Sequence, residues 1–401
     1  MAHTDRTAIR NNDEGILQKL RIGVIGAGRM GRIRATSAHR HSGCQLVQVV
    51  DVVKERAQAL AAELNCNSDT DWRRLIIRAD VDVVVVSTMH NLLAPISVAA
   101  LQSGKHVFVE KPMARNVTEG RHILDALQLA RSACQNPPQL VVGCTLRHHS
   151  HISRAKKLVD AGAIGQPYYL RGLYGHGGRP GYDQEWRMDP ELGGGGELLD
   201  QGVHLIDLSR WFLGEICEVK GMIGACFWTG SADSDPPLKP TLLSQTRQAE
   251  DNAFLLLGTP IGQVAFLHAS WTQWKNLFSF EIYGRDGAIT VEGLGGYYGK
   301  EKLILTERRP EGGVPTIEEL PVDSPESASE QDVWAREWQA FVSMVRPICD
   351  SKLSVTPPAT GLDGLEVLRI VQEVYEHRRD ASTTTEAMTT VPTLGSNQEL
   401  D

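Results

Sequence analysis

Several classes of protein are excluded by what the chain lacks. Its seven cysteines (Cys44, Cys66, Cys134, Cys144, Cys217, Cys226 and Cys349) are scattered, with no C-x-x-C pair and no short Cys/His cluster. That pattern suits reduced thiols, not a disulfide frame, and offers no zinc-type ligand set. No run approaches eighteen apolar residues, so no membrane-spanning helix is expected. The polar N-terminal segment has no apolar core of the kind a secretory signal requires. Basic residues are in deficit, 41 Lys plus Arg against 49 Asp plus Glu, and no basic run occurs. The net charge of −8 argues against nucleic acid or an anionic membrane as a partner. These absences lead to the expectation of a cytoplasmic protein without a bound metal. With 401 residues, 41% of them hydrophobic, the chain can bury two domain cores.

What is present begins after a polar lead-in over residues 1–19. Leu20-Arg21-Ile22-Gly23-Val24-Ile25 is a short β-rich run, followed at once by Gly26-Ala27-Gly28-Arg29-Met30-Gly31. A helical pattern and a second apolar run then end in Asp51. Strand, G-x-G-x-x-G turn, helix, strand and acid form a dinucleotide-binding signature. Gly26 permits the tight turn, Gly28 lets a pyrophosphate approach the backbone, and Gly31 seats the helix on the strand. The N–H groups that open the helix, at Arg29, Met30 and Gly31, face the phosphates. Asp51 lies where an acid bonds both ribose hydroxyls and repels a 2′-phosphate, so NAD is favoured over NADP, although Lys54 and Arg56 stand nearby.

Helices and strands continue to alternate through residues 54–144, predicting a doubly wound parallel sheet over 20–146. One strand ends in Glu110-Lys111-Pro112, which puts Lys111 at the carboxyl edge where such sheets bind ligands. From residue 147 the grammar changes. Strands at 168–174, 218–227, 252–257, 263–271, 277–283, 288–291 and 303–306 are not separated by crossover helices, so 147–355 reads as an α+β domain with a large, mostly antiparallel open sheet. Polar insertions at 231–248 and 308–329 read as surface loops. Helices are expected at 330–345 and 361–377, and a disordered tail at 379–401.

Inside this second region four glycines, Gly193 to Gly196, lead into Glu197-Leu198-Leu199-Asp200-Gln201-Gly202-Val203-His204. On a helix Asp200 and His204 project from one face, where a carboxylate can orient an imidazole acting as a general base. The preceding loop, 176–187, is dense in donors and aromatics. Arg179, Tyr182 and Trp186 in it suit a sugar, or a sugar bearing an anionic group.

The three motifs, in this order and at these separations, resemble the glucose–fructose oxidoreductase / inositol dehydrogenase / rhizopine-catabolism (Gfo/Idh/MocA) family from about residue 20 to 378. The resemblance implies a catalytic lysine at Lys111, held by Pro112 through a frequently cis bond, and Asp200 and His204 as its partners. It implies cofactor contacts from Ser87, Thr88, His90, Glu110 and Lys111. Substrate contacts are implied from Lys111, Arg147, His148, Asp200 and His204. Helix 361–377 is expected to pack back on the first domain, and the open sheet to make a homodimer or homotetramer. One departure stands out: the family's Thr-Pro-Asn-His-like segment here reads Thr88-Met89-His90-Asn91-Leu92-Leu93. The expected activity is NAD(P)-dependent interconversion of a ring hydroxyl and a ketone on a sugar, nucleotide-linked sugar or cyclic polyol such as an inositol. Two other readings are a dinucleotide-sensing regulator without activity, and a glycoside hydrolase working by transient oxidation and elimination on bound NAD.

Overall fold

The computed structural model describes residues 18–133, 135–228, 249–321, 330–346 and 355–388. The lead-in before residue 18 and the insertion at 231–248 lie outside them, as do the end of the second insertion from 322 and the tail after 388.

The first half alternates β1 (Leu20–Ile25), α1 (Arg29–Arg40), β2 (Cys44–Val50), α2 (Lys54–Glu63), β3 (Asn67–Asp69), α3 (Trp72–Ile76), β4 (Val83–Val86), α4 (His90–Gln102), β5 (His106–Glu110), α5 (Val117–Ala133) and β6 (Leu140–Gly143). The six strands are parallel, in the order β3-β2-β1-β4-β5-β6. The order reverses at β1, so the turn after β1 and the end of β4 open a crevice at the carboxyl edge. The unbroken valines Val83–Val86 fit because β4 is covered on both faces and every residue in it is buried.

A 3-10 turn (Thr145–His148) and α6 (Ser150–Asp160) lead into the second unit: β7 (Pro167–Gly175), a short helix α7 (Pro190–Gly193), α8 (Val203–Leu213), β8 (Glu218–Gly224), β9 (Asn252–Gly258), β10 (Val264–Ser270), β11 (Leu277–Gly284), β12 (Gly287–Glu292), β13 (Lys302–Glu307) and β14 (Thr316–Glu319). These eight strands form one sheet in the order β14-β13-β12-β11-β7-β10-β9-β8, antiparallel except where β7 meets β10. Leu170, Leu255, Leu267, Phe280 and Ile282 alternate inward and share a core with Leu205, Leu208 and Phe212 of α8. Successive outward residues include Met222, Phe254, Leu256, Val264 and Phe266, all exposed. Strand β14 falls inside a stretch whose polarity had suggested only a loop.

The last described elements are α9 (Glu330–Val345), β15 (Ala359–Thr360) and α10 (Gly361–Met388). Although α9 falls in the range expected for the second domain, Trp338, Phe341 and Val342 pack with Leu20, Val24, Phe108 and Val141 of the first sheet. Strand β15 adds to that sheet, antiparallel to β6. Helix α10 runs past its expected end and packs between α5 and β8, so it ties the two units together. No helix among the described residues is long and apolar enough to cross a membrane.

Candidate active site

Each glycine of the β1–α1 turn is required for a separate reason. Gly26 adopts φ +101°, and a Cβ there would stand 2.2 Å from the Ser87 carbonyl oxygen. A Cβ on Gly31 would lie 1.7 Å from the Gly26 oxygen, so α1 rests directly on the turn. At Gly28 nothing lies within 4 Å, and no side chain caps α1 there. The result is a helix N-terminus with free N–H groups and a side-chain-free approach. Arg29 and Met30 begin that helix.

Beside the turn, the Asp51 carboxylate accepts from Ala27 N (2.7 Å) and Val53 N (2.8 Å), which fixes the acid at the end of β2. Across the crevice the Ser87 hydroxyl is buried without a partner, and Thr88 donates to the Met89 carbonyl. Open amides, an anchored acid and an orphan hydroxyl at the strand-order reversal fit a dinucleotide. His90 opens α4, with Nδ1 2.8 Å from the Gly193 carbonyl and Trp186 packed edge-on at 4.7 Å. Burial pushes its imidazole down to about 4, so this ring is neutral at pH 7.

Lys111 leaves the end of β5 through a cis Lys111–Pro112 bond. Its ammonium donates to the Asp200 carbonyl at 2.6 Å and to Asp200 Oδ1 at 2.7 Å. The other carboxylate oxygen of Asp200 lies 3.2 Å from Arg187 Nε. Burial would raise the Asp200 carboxyl, but Lys111 and then Arg187 outweigh it and hold the group well below the usual carboxylate range.

Asp200 thus hydrogen-bonds to Lys111, while its charge also acts on the His204 imidazole. The helix opens with a π turn, Leu198–Gly202, before α8, and π turns are rare and concentrate at functional sites. His204 stands buried near Tyr174, with ring centroids 6.0 Å apart and Nδ1 unpartnered. Burial, then the nearby Lys111 charge, keeps its imidazole well below the ordinary histidine range, so it is neutral at pH 7.

Three of the expected ligand residues lie in buried networks. Arg34 Nε binds the Glu110 carboxylate at 2.6 Å, and Arg34 also binds Glu337 of α9 at 2.5 Å, all in the core. Arg147 is paired within the fold. It grips Asp207 of α8 with two bonds of 2.8 and 2.6 Å, and both residues are buried. His148 is buried behind it, where burial and then Arg147 push its ring down to about 3; its Nε2 has no partner.

The loop residues divide. Tyr182 is buried against His176, Trp228 and Trp271 and acts as the loop's aromatic anchor. Trp186 lies at the crevice through His90. Arg179 is exposed and paired with Glu185. His149 and His151 clasp Glu301 at 2.6 and 2.7 Å. No group of three or more metal-ligating side chains occurs among the described residues.

Residue-level reading passed over Arg187, Glu197, Gln201 and Tyr298. Glu197, Gln201 and His204 are spaced i, i+4, i+7, a stripe visible in the sequence. Both Glu197 carboxyl oxygens and Gln201 Oε1 are buried without partners. Gln201 Nε2 reaches Tyr298 Oη at 3.3 Å. Tyr298 comes from the β12–β13 connection, and no local signal in the sequence links it to the site.

A dinucleotide crevice at the edge of one sheet, joined to a cluster in which Lys111 of the first unit meets Asp200 and His204 of the second, defines a two-domain, nicotinamide-dependent oxidoreductase. Comparison with known proteins makes this specific. Residues 20–136 match the model of the oxidoreductase family with an NAD-binding Rossmann fold, and 152–290 match the GFO/IDH/MocA C-terminal domain. The chain belongs to the Gfo/Idh/MocA oxidoreductase family: it is an NAD-binding enzyme of a group whose named members are dehydrogenases and reductases acting on sugars and polyols. It is 28% identical to levoglucosan dehydrogenase of Pseudarthrobacter phenanthrenivorans over 300 residues, 68% of this chain and 73% of that protein. It is 32% identical to inositol 2-dehydrogenase 4 of Saccharopolyspora erythraea over 202 residues, 49% of this chain and 55% of that one. Among solved structures, an oxidoreductase domain protein from Kribbella flavida superposes with a TM-score of 0.75 at 24% identity, covering 92% of this chain and 98% of that one. Levoglucosan dehydrogenase in complex with NADH gives 0.74 at 23% identity, covering 91% and 98%.

Proposed function

We propose that the protein oxidises a ring hydroxyl of a sugar or cyclic polyol to a ketone, or runs the reverse reaction, with Lys111 and His204 handling the hydroxyl proton. The observation that carries this reading is the Lys111 ammonium at 2.7 Å from Asp200, with a buried, neutral His204 on the same helix. A nicotinamide held in the crevice would supply the hydride acceptor. The chain's own residues manage the oxygen. His204 is unprotonated at neutral pH and can take the hydroxyl proton as negative charge grows on oxygen. Lys111 can hold that oxygen and stabilise its charge, and Asp200 fixes the direction of the ammonium. Gln201 and Tyr298 are placed to receive further hydroxyls of the ring. Arg147 acts one step away: its pair with Asp207 holds α8, and with it His204.

The test follows NADH absorbance with NAD and a panel of inositols, sugars, sugar acids and nucleotide sugars, for wild type, Lys111→Ala and His204→Ala. Turnover by wild type, reduced by roughly 10²- to 10⁴-fold in either variant, supports the assignment. Equal turnover in all three proteins would refute the site. Product without net NADH would favour the internal-redox hydrolase, and NAD binding with no turnover of any panel member would favour the sensor.

The outward face of the second sheet supports self-association. Met222, Phe254, Leu256, Val264 and Phe266 lie on adjoining strands and form an apolar surface of the kind that marks an interface. We assign it as the contact of a homodimer or homotetramer, checked by sedimentation of wild type against Phe266→Glu: the variant is expected to shift toward monomer.

A further inference from the structure

Resting on the dehydrogenase reading, we infer that the substrate carries an anionic group, a carboxylate or a phosphate, and that Arg187 is the residue that reads it. Five side chains form a line of alternating charge from the buried site to the surface: Lys111, Asp200, Arg187, Glu185 and Arg179. Cations outnumber carboxylates in this line. Lys111 and Arg187 share the single carboxylate of Asp200, at 2.7 and 3.2 Å. Arg187's second contact, Glu185, is longer at 3.6 Å, and Glu185 is already paired with Arg179.

The other ionisable groups around the cluster do not restore the balance. His90, His176 and His204 are held neutral, chiefly by burial. Burial, helped by Asp200, keeps Glu197 protonated and Tyr182 un-ionised, and burial, then Tyr298, does the same for Tyr174. At the buried end of the line, two cations, Lys111 and Arg187, therefore face the single carboxylate of Asp200.

Arg187 is built to use that charge. It is part-buried, its guanidinium stacks on Trp186 at 4.5 Å, and Trp186 in turn packs on His90. Nε lies 3.2 Å from Asp200 and Nη1 3.6 Å from Glu185, so both carboxylates stand on one side of the guanidinium. A guanidinium stacked and pinned in this way presents its remaining donors in a fixed direction, a geometry suited to paired bonds with a carboxylate or phosphate. A neutral polyol would leave the surplus charge uncompensated in a site from which it displaces water.

The test compares neutral sugars with their charged counterparts on the full-length protein: glucose, glucuronate, glucose 6-phosphate, UDP-glucose and UDP-glucuronate. Turnover is read in one arm. In the other, affinity is read by titration calorimetry in the presence of NADH, where no oxidation proceeds. The expected result is a preference for a charged member over its neutral parent. The ratio of the two should fall roughly 10- to 150-fold in Arg187→Met, the loss of a charge-assisted pair. Arg187→Lys should retain most of the ratio for a phosphate and less of it for a carboxylate. A glucuronate preference without one for glucose 6-phosphate assigns the carboxylate, and the converse assigns the phosphate.

The inference is overturned if the neutral parent is preferred in both arms. It is also overturned if Arg187→Met leaves the ratio unchanged with its melting temperature intact, or if its main effect is on NADH affinity. Arg187-dependent binding of a charged sugar without turnover would sustain the inference while removing the dehydrogenase reading. Turnover of neutral sugars alone would do the opposite.

Discussion

Replacing Arg147 separates a structural arginine from a substrate ligand. Arg147 and Asp207 form a two-bond ion pair with both side chains out of contact with water, and Asp363 lies 3.5 Å from the same guanidinium. Burial already raises the Asp207 carboxyl with Arg147 in place, so removal of the cation strands an acid that cannot ionise at low cost. Breaking one side of a buried pair costs about 3–5 kcal/mol, whereas exchanging both partners for apolar groups of similar volume is close to neutral. Arg147→Met should therefore lose about 3–5 kcal/mol, and Arg147→Met with Asp207→Leu should recover most of it. At about 2.1 cal/mol/K of unfolding entropy per residue over 401 residues, the single variant should melt roughly 4–6 °C lower. Urea unfolding gives the coupling energy, and steady-state kinetics on the double variant gives KM. A stable single variant with KM raised tenfold or more, not rescued by the second substitution, would refute the reasoning and return Arg147 to the substrate.

The glycines of the turn should fail in different ways. Gly31→Ala, with its Cβ at 1.7 Å from the Gly26 oxygen, should destabilise the fold, while Gly28→Ala should fold normally and lose NAD affinity; thermal melts and NADH titration tell them apart. Asp51→Ala should weaken NAD and improve NADP relative to it, because a fixed carboxylate beside the ribose repels a 2′-phosphate; the ratio of the two kcat/KM values reads this. Glu197 is pushed well above its usual 4.5 by burial and then by the Asp200 charge. The folded state therefore keeps a proton that the unfolded chain releases above that pH, and stability falls by about 1.4 kcal/mol per pH unit until the folded carboxyl ionises. Glu197→Gln removes that slope, so its urea midpoint should gain on wild type as pH rises from 5 to 7; a constant difference would contradict it.

Local patterns in the chain determined the dinucleotide turn, because its glycines, its helix start and the acid of the next strand interact within about thirty residues of sequence. They also determined the change from parallel to antiparallel sheet, since β-strand alternation and the presence or absence of crossover helices are local properties. The position of Lys111 at a strand end and the spacing of Asp200 and His204 were legible for the same reason, and the resemblance to the family gave them roles. Tertiary structure alone decided the partners of the charged groups. Glu110 closes on Arg34 and, through it, on Glu337, more than two hundred residues away, and Arg147 closes on Asp207. Asp200 turned to Lys111 and Arg187. Periodicity reports that one face of an element is buried, not what covers it, which is why α9 fell to the first sheet and α10 bridged both. Charge pairing depends on distances of a few ångströms between segments far apart in the chain, and only the packed fold sets those distances.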